Sequence, residues 1–133
     1  MGYRSEVGII LSAEAYELLV CELEKERVDR ILNNNSPDKF MSTLELLDEM
    51  EEDGKPNLPE RSTDIILYYS WIKWYDSYDE INFIERMLDM MEERDLAYSF
   101  LRIGEENPDI DARYNRSEDL CIDMYASRSV AFN

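Results

Sequence analysis

The longest apolar and aromatic run of the chain lies at 63–74, and its pattern predicts the strand around which the other elements pack. Because successive side chains of a strand point to opposite faces, the run divides into two sets. These sets are Ile65, Leu67, Tyr69 and Trp71 on one face, and Ile66, Tyr68, Ile72 and Trp74 on the other. A strand that is apolar on both faces is typical of an interior position, or of one with a partner on its second face. We therefore expect 63–74 to form the central strand.

A helix is predicted directly after this run. Ser77 and Glu80 have the spacing of a capping box, in which each side chain accepts a hydrogen bond from a free backbone N–H group. Apolar residues then recur at helical spacing from Ile81 to Met91, and the helix should end at about Glu93.

The remaining elements follow from the same kinds of signal. Their predicted order is a strand at 3–12, a helix capped by Ser12 that ends at 33–35, a second helix from 36–38, a loop at 54–61, the central strand and its helix, a strand at 96–103, a turn at 104–109, a short strand at 110–114 and a last strand or strand pair within 120–132. This order predicts an α+β fold, a mixed, largely antiparallel sheet with about three helices packed on one face. The length predicts a single domain, residues 1–133.

The charge of the chain is strongly negative. It carries 31 acidic and 14 basic residues and no histidine, a net charge of −17. Each of the four consecutive segments 1–34, 35–62, 63–95 and 96–133 is net negative, so the excess belongs to the folded body rather than to a tail. This sign disfavours direct binding of nucleic acid or of an anionic membrane, and it favours either a basic partner or no partner.

The cellular compartment is predicted from what the sequence lacks. It contains no apolar run long enough to span a membrane, and its first residues do not resemble a secretory signal. Cys21 and Cys121 are far apart in sequence, and we interpret them as buried free thiols. Together these features favour the reducing cytoplasm.

Two helical segments are crowded with acids and are our candidate partner-binding residues. They are Glu45, Asp48, Glu49, Glu51, Glu52 and Asp53 in the second helix, and Glu85, Asp89, Glu92 and Glu93 in the third. Carboxylates near a helix C-terminus interact unfavourably with the helix dipole, so we expect a basic residue or a basic partner to neutralise them. A second candidate surface is aromatic, formed by Trp71, Trp74, Tyr75 and Tyr78, although such rings more often form core and rim packing.

Candidate chemistry is sparse. The absence of histidine excludes Ser-His, Cys-His and His-metal schemes, and the four glycines are not grouped into a phosphate loop. One acidic turn, formed by Glu105, Glu106, Asp109 and Asp111 near Arg102 and Arg113, has three open interpretations: a Ca²⁺ or Mg²⁺ site, a solvated turn with local ion pairs, or a partner contact. We predict no catalytic residue, no metal and no cofactor, and hence no enzyme. A metal-dependent enzyme at this turn is the hypothesis that a metal titration would decide.

Three short segments carry a resemblance. Residues 3–7 (YRSEV), 71–75 (WIKWY) and 102–106 (RIGEE) resemble segments of a group of small, uncharacterised phage-encoded proteins. The similarity covers about half of the chain, and the acidic middle has no counterpart in it. The resemblance implies a viral or prophage accessory protein in the cytoplasm of a bacterial host cell, and it transfers no functional residue.

Two functions are therefore expected. The first is an anti-CRISPR-like or anti-defence protein that binds and inhibits a basic host nucleic-acid-binding protein, such as a Cas effector, by presenting carboxylates as a nucleic-acid mimic. The alternative is an oligomeric structural or small-ligand-binding module, joined through the aromatic residues of 71–78, whose acidity serves only solubility.

Overall fold

The computed structural model describes residues 3–32, 38–52, 64–106, 109–120, 124–126 and 130–132. The elements are β1 (Ser5–Leu11), α1 (Ala13–Leu32), α2 (Asp38–Glu52), β2 (Ile65–Ile72), α3 (Asp79–Glu93), β3 (Tyr98–Gly104), β4 (Ile110–Asn115), a 3-10 turn (Ser117–Asp119), β5 (Met124–Ala126) and β6 (Val130–Phe132). One sheet has the strand order β2-β1-β3-β4, and β5 pairs with β6. Every pairing is antiparallel. The predicted α+β fold is confirmed.

The two inner strands of the sheet are β1 and β3, so the prediction that 63–74 would be central is wrong. β2 lies at the edge and pairs with β1. All residues of β1 except Glu6 are buried, whereas β2 exposes Ser70 and Trp71. The face of β1 that is turned toward the helices packs in the core. Its opposite face carries Glu6, which accepts a hydrogen bond from the Val130 N–H group of β6. β1 thus lies between two layers, with the core on one face and β6 on the other.

An irregularity in the pairing of β1 with β2 changes which side chains of β2 face the helices. Val7 pairs with Tyr69, but Ser5 pairs with Ile72. Between these pairs one residue of β1, Glu6, therefore lies opposite two residues of β2, Ser70 and Trp71, which is the arrangement of a β-bulge.

The bulge reverses the alternation of side chains in the second half of the strand. Leu67 and Tyr69 share one face, as predicted, and that face packs on the core. Beyond the extra residue, Ile72 is buried in that same core and Trp74 packs at its border, whereas Trp71 turns outward and is 56% exposed. The predicted faces are thus wrong after Tyr69, because a strict period of two cannot include an inserted residue.

The helix starts show one correct and one wrong capping prediction. The Ala15 N–H group donates to Ser12 Oγ over 3.2 Å, so the predicted cap of α1 is confirmed. The N-cap of α3 is Tyr78, which makes no side-chain capping bond, so the predicted Ser77–Glu80 capping box is wrong. Ser77 still lies in the preceding turn, which the Tyr78 N–H group closes on the Tyr75 carbonyl over 2.9 Å. α3 ends at Glu93, as predicted.

The hydrophobic core lies between the sheet and the helices. α3 contributes the largest apolar set, Ile81, Phe83, Ile84, Met87, Leu88 and Met91. Cys21 is exposed on α1, so its predicted burial is wrong, because it projects away from the stripe of Leu19 and Leu23. Cys121, the helix end at 33–35, Pro37 and the predicted loop at 54–61 lie outside the described residues. No helix in the described ranges has the length and apolar content needed to cross a membrane.

Candidate interaction surface

The acids of α3 converge on a single cation, Arg113 of β4. The pairing of Phe100 with Arg113 places that arginine on the helical face of the sheet. Its guanidinium nitrogens lie 3.0 Å from Glu85, 2.7 Å from Asp89 and 3.4 Å from Glu92. Three of the four candidate acids of α3 therefore bind a cation of their own chain. Sequence reasoning placed Arg113 beside the acidic turn instead, and missed this contact.

Two further donors extend the contacts of Arg113 into a network. Trp74 Nε1 donates to Glu85 Oε1 over 2.9 Å, and the Tyr98 hydroxyl donates to Glu92. Burial and the bond to Glu92 raise the pKa of Tyr98, so its hydroxyl stays protonated. Burial acts to lower the pKa of Arg113, but its bond to Asp89 and the surrounding charges raise it. One cation among three carboxylates leaves an excess of negative charge on this face.

The acids of α2 are mostly exposed. Glu45, Asp48 and Glu49 face solvent, whereas Glu51 accepts a 3.0 Å bond from the Tyr16 hydroxyl. The side chain of Glu52 and all of Asp53 lie outside the described part of the chain. α2 packs against α3, and neither helix has a basic residue in its last turn. We name the exposed carboxylates of the two helices the acidic helix surface: Glu45, Asp48, Glu49, Asp89, Glu92 and Glu93.

The four aromatic candidates do not share one environment. Trp71 and Tyr78 are exposed. Trp74 lies at the border of the core, and the Tyr75 hydroxyl accepts a 2.6 Å hydrogen bond from the Tyr3 N–H group. The rings of Tyr75 and Tyr78 meet edge to face at 5.3 Å. Trp74 and Tyr75 thus have structural contacts, and Trp71 is the ring most available to a partner.

The acidic turn after β3 forms a local ion-pair network. Asp109 accepts bonds of 2.9 and 3.2 Å from Arg102 and a bond of 2.6 Å from the Tyr3 hydroxyl. Arg102 also donates to Ser5 Oγ over 3.1 Å, and the Glu106 N–H group donates to the Tyr3 oxygen over 2.9 Å. Of the three open interpretations, these contacts support local ion pairs. Within the described ranges, no three acidic or thiol side chains group as a metal site would require.

The charges of this turn shift one another. The bond from Arg102 and the bond from Tyr3 hold the pKa of Asp109 below its usual value. The same carboxylate raises the pKa of Tyr3 and that of Arg102. Gly104 allows this close approach, because a Cβ atom there would overlap both Asp109 Oδ2 and the Tyr3 oxygen. An isolated glycine in a strand is the sequence signal that could have revealed it.

The three segments 3–7, 71–75 and 102–106 meet at this end of the sheet. Tyr3 of the first binds Tyr75 of the second, and Ser5 binds Arg102 of the third. Their contacts hold the start of β1 to the end of β3. What the geometry supports for these segments is a structural role.

Clefts with volumes of about 470 and 390 Å³ open beside the helices among the residues that the structure describes. In the larger, between α1 and α3, Lys25 lies 3.1 Å from Glu22 and Arg86 lies 3.6 Å from Glu26. The smaller is lined by acids around Arg116, which itself forms ion pairs. The charged linings are therefore largely paired within the chain.

Comparison of the chain with models of protein families, with curated proteins and with solved structures gave no significant match.

Proposed function

We propose that this protein binds a basic protein through the acidic helix surface and is not an enzyme. In the cytoplasm of a bacterial host it would occupy the cationic groove of a nucleic-acid-binding protein, such as a Cas effector, and inhibit it. The observation that carries the proposal is the exposed carboxylates of two adjacent helices, whose last turns contain no base.

The physical argument starts from the spacing of the charges. Side chains three or four positions apart on a helix are neighbours, about 5–6 Å apart, so Glu45, Asp48 and Glu49 form one row. The negative end of the helix dipole adds to the field of such a row where it approaches the C-terminus. On α3, Arg113 neutralises only part of the charge of Glu85, Asp89 and Glu92, so α3 retains negative charge in addition to the row on α2.

The test compares two variants of equal net charge. The first neutralises the α2 row by Glu45→Gln, Asp48→Asn and Glu49→Gln. The control neutralises three other exposed acids by Glu14→Gln, Glu17→Gln and Glu118→Gln. Each lost contact between exposed charges is worth about 0.5 kcal/mol, so the first variant should bind a Cas effector or another DNA-binding host protein about tenfold more weakly. The control should bind nearly as well as the unmodified chain.

A salt series gives a second readout. Raising the salt concentration from about 0.05 to about 0.5 M shortens the screening length several-fold and should weaken binding steeply. Equal affinity of the two variants, or an affinity that does not change with salt, would contradict the proposal.

The oligomeric module is the second candidate, and the 56% exposure of Trp71 is the observation that favours it. Large rings at the centre of an interface often contribute most of its binding energy. If this function is correct, the mass in solution should rise with protein concentration and fall for Trp71→Ala. A monomer at every concentration, for both chains, would dismiss it.

A further inference from the structure

The outer edge of β4 has its backbone groups directed away from the sheet. Among the described strands, β4 pairs only with β3. The Gly104 N–H group donates to the Asp109 carbonyl over 2.8 Å, which marks that pair as hydrogen-bonded. Because hydrogen-bonded and non-hydrogen-bonded pairs alternate along an antiparallel ladder, the N–H and C=O groups of Ile110, Ala112 and Tyr114 point to the free edge.

The two faces of this edge have different chemistry. Ile110 is 47% exposed and Tyr114 is 69% exposed, and both lie on the face away from the helices, with the exposed Ala112 between them. Asp111 is exposed on the helical face, in register with Arg102, which itself pairs with Asp109. On the same face Arg113 is surrounded by three carboxylates, so this side of the edge carries more acids than bases. The edge is therefore apolar on one side and negative on the other.

We propose that β4 binds an extended segment of a partner protein as an added antiparallel strand, with cationic side chains on the helical face and apolar side chains on the opposite face. Main-chain hydrogen bonds supply affinity in this mode of recognition, and alternate side chains supply specificity. The inference rests on the proposed function, because it takes the partner to be basic, and it specifies which part of that partner is recognised.

Charge decides between a partner segment and a second copy of this chain. A twofold pairing centred on Ala112 would place Asp111 of one copy opposite Arg113 of the other. That arginine already lies within 4 Å of Glu85, Asp89 and Glu92. Self-pairing would therefore bring two negative clusters together, within a screening length of about 10 Å, on chains that each carry −17. A strand with Lys or Arg at alternate positions meets the same surface with the opposite sign.

The exposed edge of β4 is protected against pairing with some strands but not with others. Natural edge strands avoid pairing by means of lysine, proline, a bulge or a cover. β4 contains neither lysine nor proline, and Arg113 is turned inward to the acids of α3. Asp111 remains as the exposed charge of the strand, and it repels acidic strands but attracts basic ones.

The experiment uses a labelled peptide of alternating valine and lysine, about seven residues long to match a short strand. Its binding to the full chain is followed by fluorescence anisotropy at low salt. The control peptides replace lysine by glutamate, or carry N-methyl groups on one backbone edge. On the protein, Ala112→Pro removes an outward N–H group without touching the bonds to β3, and Ala112→Val at the same position retains that group.

The lysine peptide should bind the unmodified chain and Ala112→Val, and bind Ala112→Pro at least about tenfold more weakly, given the loss of one hydrogen bond and the local fit. Its binding should also slow the hydrogen exchange of the Ile110, Ala112 and Tyr114 amides. Equal binding of the glutamate or N-methylated peptide, or unchanged exchange at these amides, would overturn the proposal. If the unmodified chain self-associates and Ala112→Pro abolishes this, the edge binds a second copy of the chain, and the assignment to a basic partner segment is wrong. The exchange experiment needs no variant, so a folding defect in Ala112→Pro does not remove the test.

The two proposals fail separately. If the peptide does not bind but basic proteins still require the α2 row, the edge proposal is wrong and the proposed function stands. If the peptide binds at β4 but basic proteins bind without any dependence on salt or on the α2 row, the proposed function is wrong and the edge proposal stands.

Discussion

Arg102 and Asp109 form a bidentate salt bridge, with Nη2 2.9 Å from Oδ1 and Nη1 3.2 Å from Oδ2. The Tyr3 hydroxyl reaches the same carboxylate over 2.6 Å. One side chain in the turn after β3 thus connects that strand to the segment that precedes β1, about a hundred positions earlier in the sequence.

The first prediction concerns acid pH. Asp109 has a lower pKa in the folded chain than its ordinary value of 3.8, because Arg102 and Tyr3 favour the carboxylate. The unfolded state therefore binds the proton more readily, so this stabilisation is complete above the unfolded pKa and is lost as the pH falls through the folded pKa. Asp109→Asn should reduce stability at neutral pH, and its difference from the unmodified chain should shrink between about pH 5 and pH 2. Urea unfolding across this range measures the difference, and a constant difference would contradict the assignment.

The second prediction concerns Gly104. A Cβ atom at this position overlaps Asp109 Oδ2 and the Tyr3 oxygen, so Gly104→Ala should cost about 1–3 kcal/mol, as overpacking does. In a Tyr3→Phe background one of the two clashing oxygens is absent, and the alanine should then cost less. Denaturant unfolding of the unmodified chain, the two single variants and the double variant gives the coupling energy between the two positions. Strictly additive costs would show that the close approach is not what requires glycine.

The third prediction compares two arginines. Arg113 is 23% exposed and serves three carboxylates, whereas Arg116 is half exposed and pairs with Asp95 and Asp119. Arg113→Gln should cost about 1–3 kcal/mol, because the partly buried Glu85 loses its cation and the three carboxylates are left to repel one another. Arg116→Gln should cost at most about 1 kcal/mol, as is usual for exposed pairs.

Salt gives an internal check on the third prediction. Added NaCl screens the repulsion among the acids left by Arg113→Gln, so it should stabilise that variant more than Arg116→Gln. Thermal unfolding at low and high salt measures both changes. Equal costs and equal salt responses would mean that Arg113 does not hold these acids together.

The fourth prediction separates two serines that look equally suited to capping in the sequence. Ser12 accepts the Ala15 N–H group, so Ser12→Ala should lower the free energy of unfolding by about 0.5–2 kcal/mol. Ser77 does not cap α3, so Ser77→Ala should change it by less than about 0.5 kcal/mol. Equal losses for the two variants would argue for a capping role of Ser77 in solution.

Local signals in the sequence were sufficient for most elements of the fold. The end of α3 at Glu93 and the cap at Ser12 depend on residues within one or two helical turns, and both predictions are confirmed. The order of strands in the sheet is not local. The run at 63–74 is the most apolar, but it lies at the edge of the sheet. The inner positions belong to β1 and β3, each of which has a strand on both sides and contacts β6 as well as the core. No sequence rule marks the position where β2 gains its extra residue.

The candidate site shows the same limit. The acids of α3 can be identified from spacing alone, but their cation lies on β4, and only the register of β3 with β4 brings Arg113 to them. At the turn after β3, sequence reasoning grouped Arg102 with Asp109, and the structure places the two in contact. It missed Tyr3, since nothing nearby in the sequence indicates that the first strand begins beside that turn.

The extra residue of β2 has a practical consequence for spectroscopy. It leaves the indole of Trp71 open to water and places that of Trp74 against the core, beside Glu85. A small quencher such as acrylamide should therefore suppress the emission of the first ring and spare the second. Trp71→Phe and Trp74→Phe would isolate the two signals. Trp74 emission would then report unfolding of the core, and Trp71 emission, at a different wavelength, would report binding of a partner at the sheet edge.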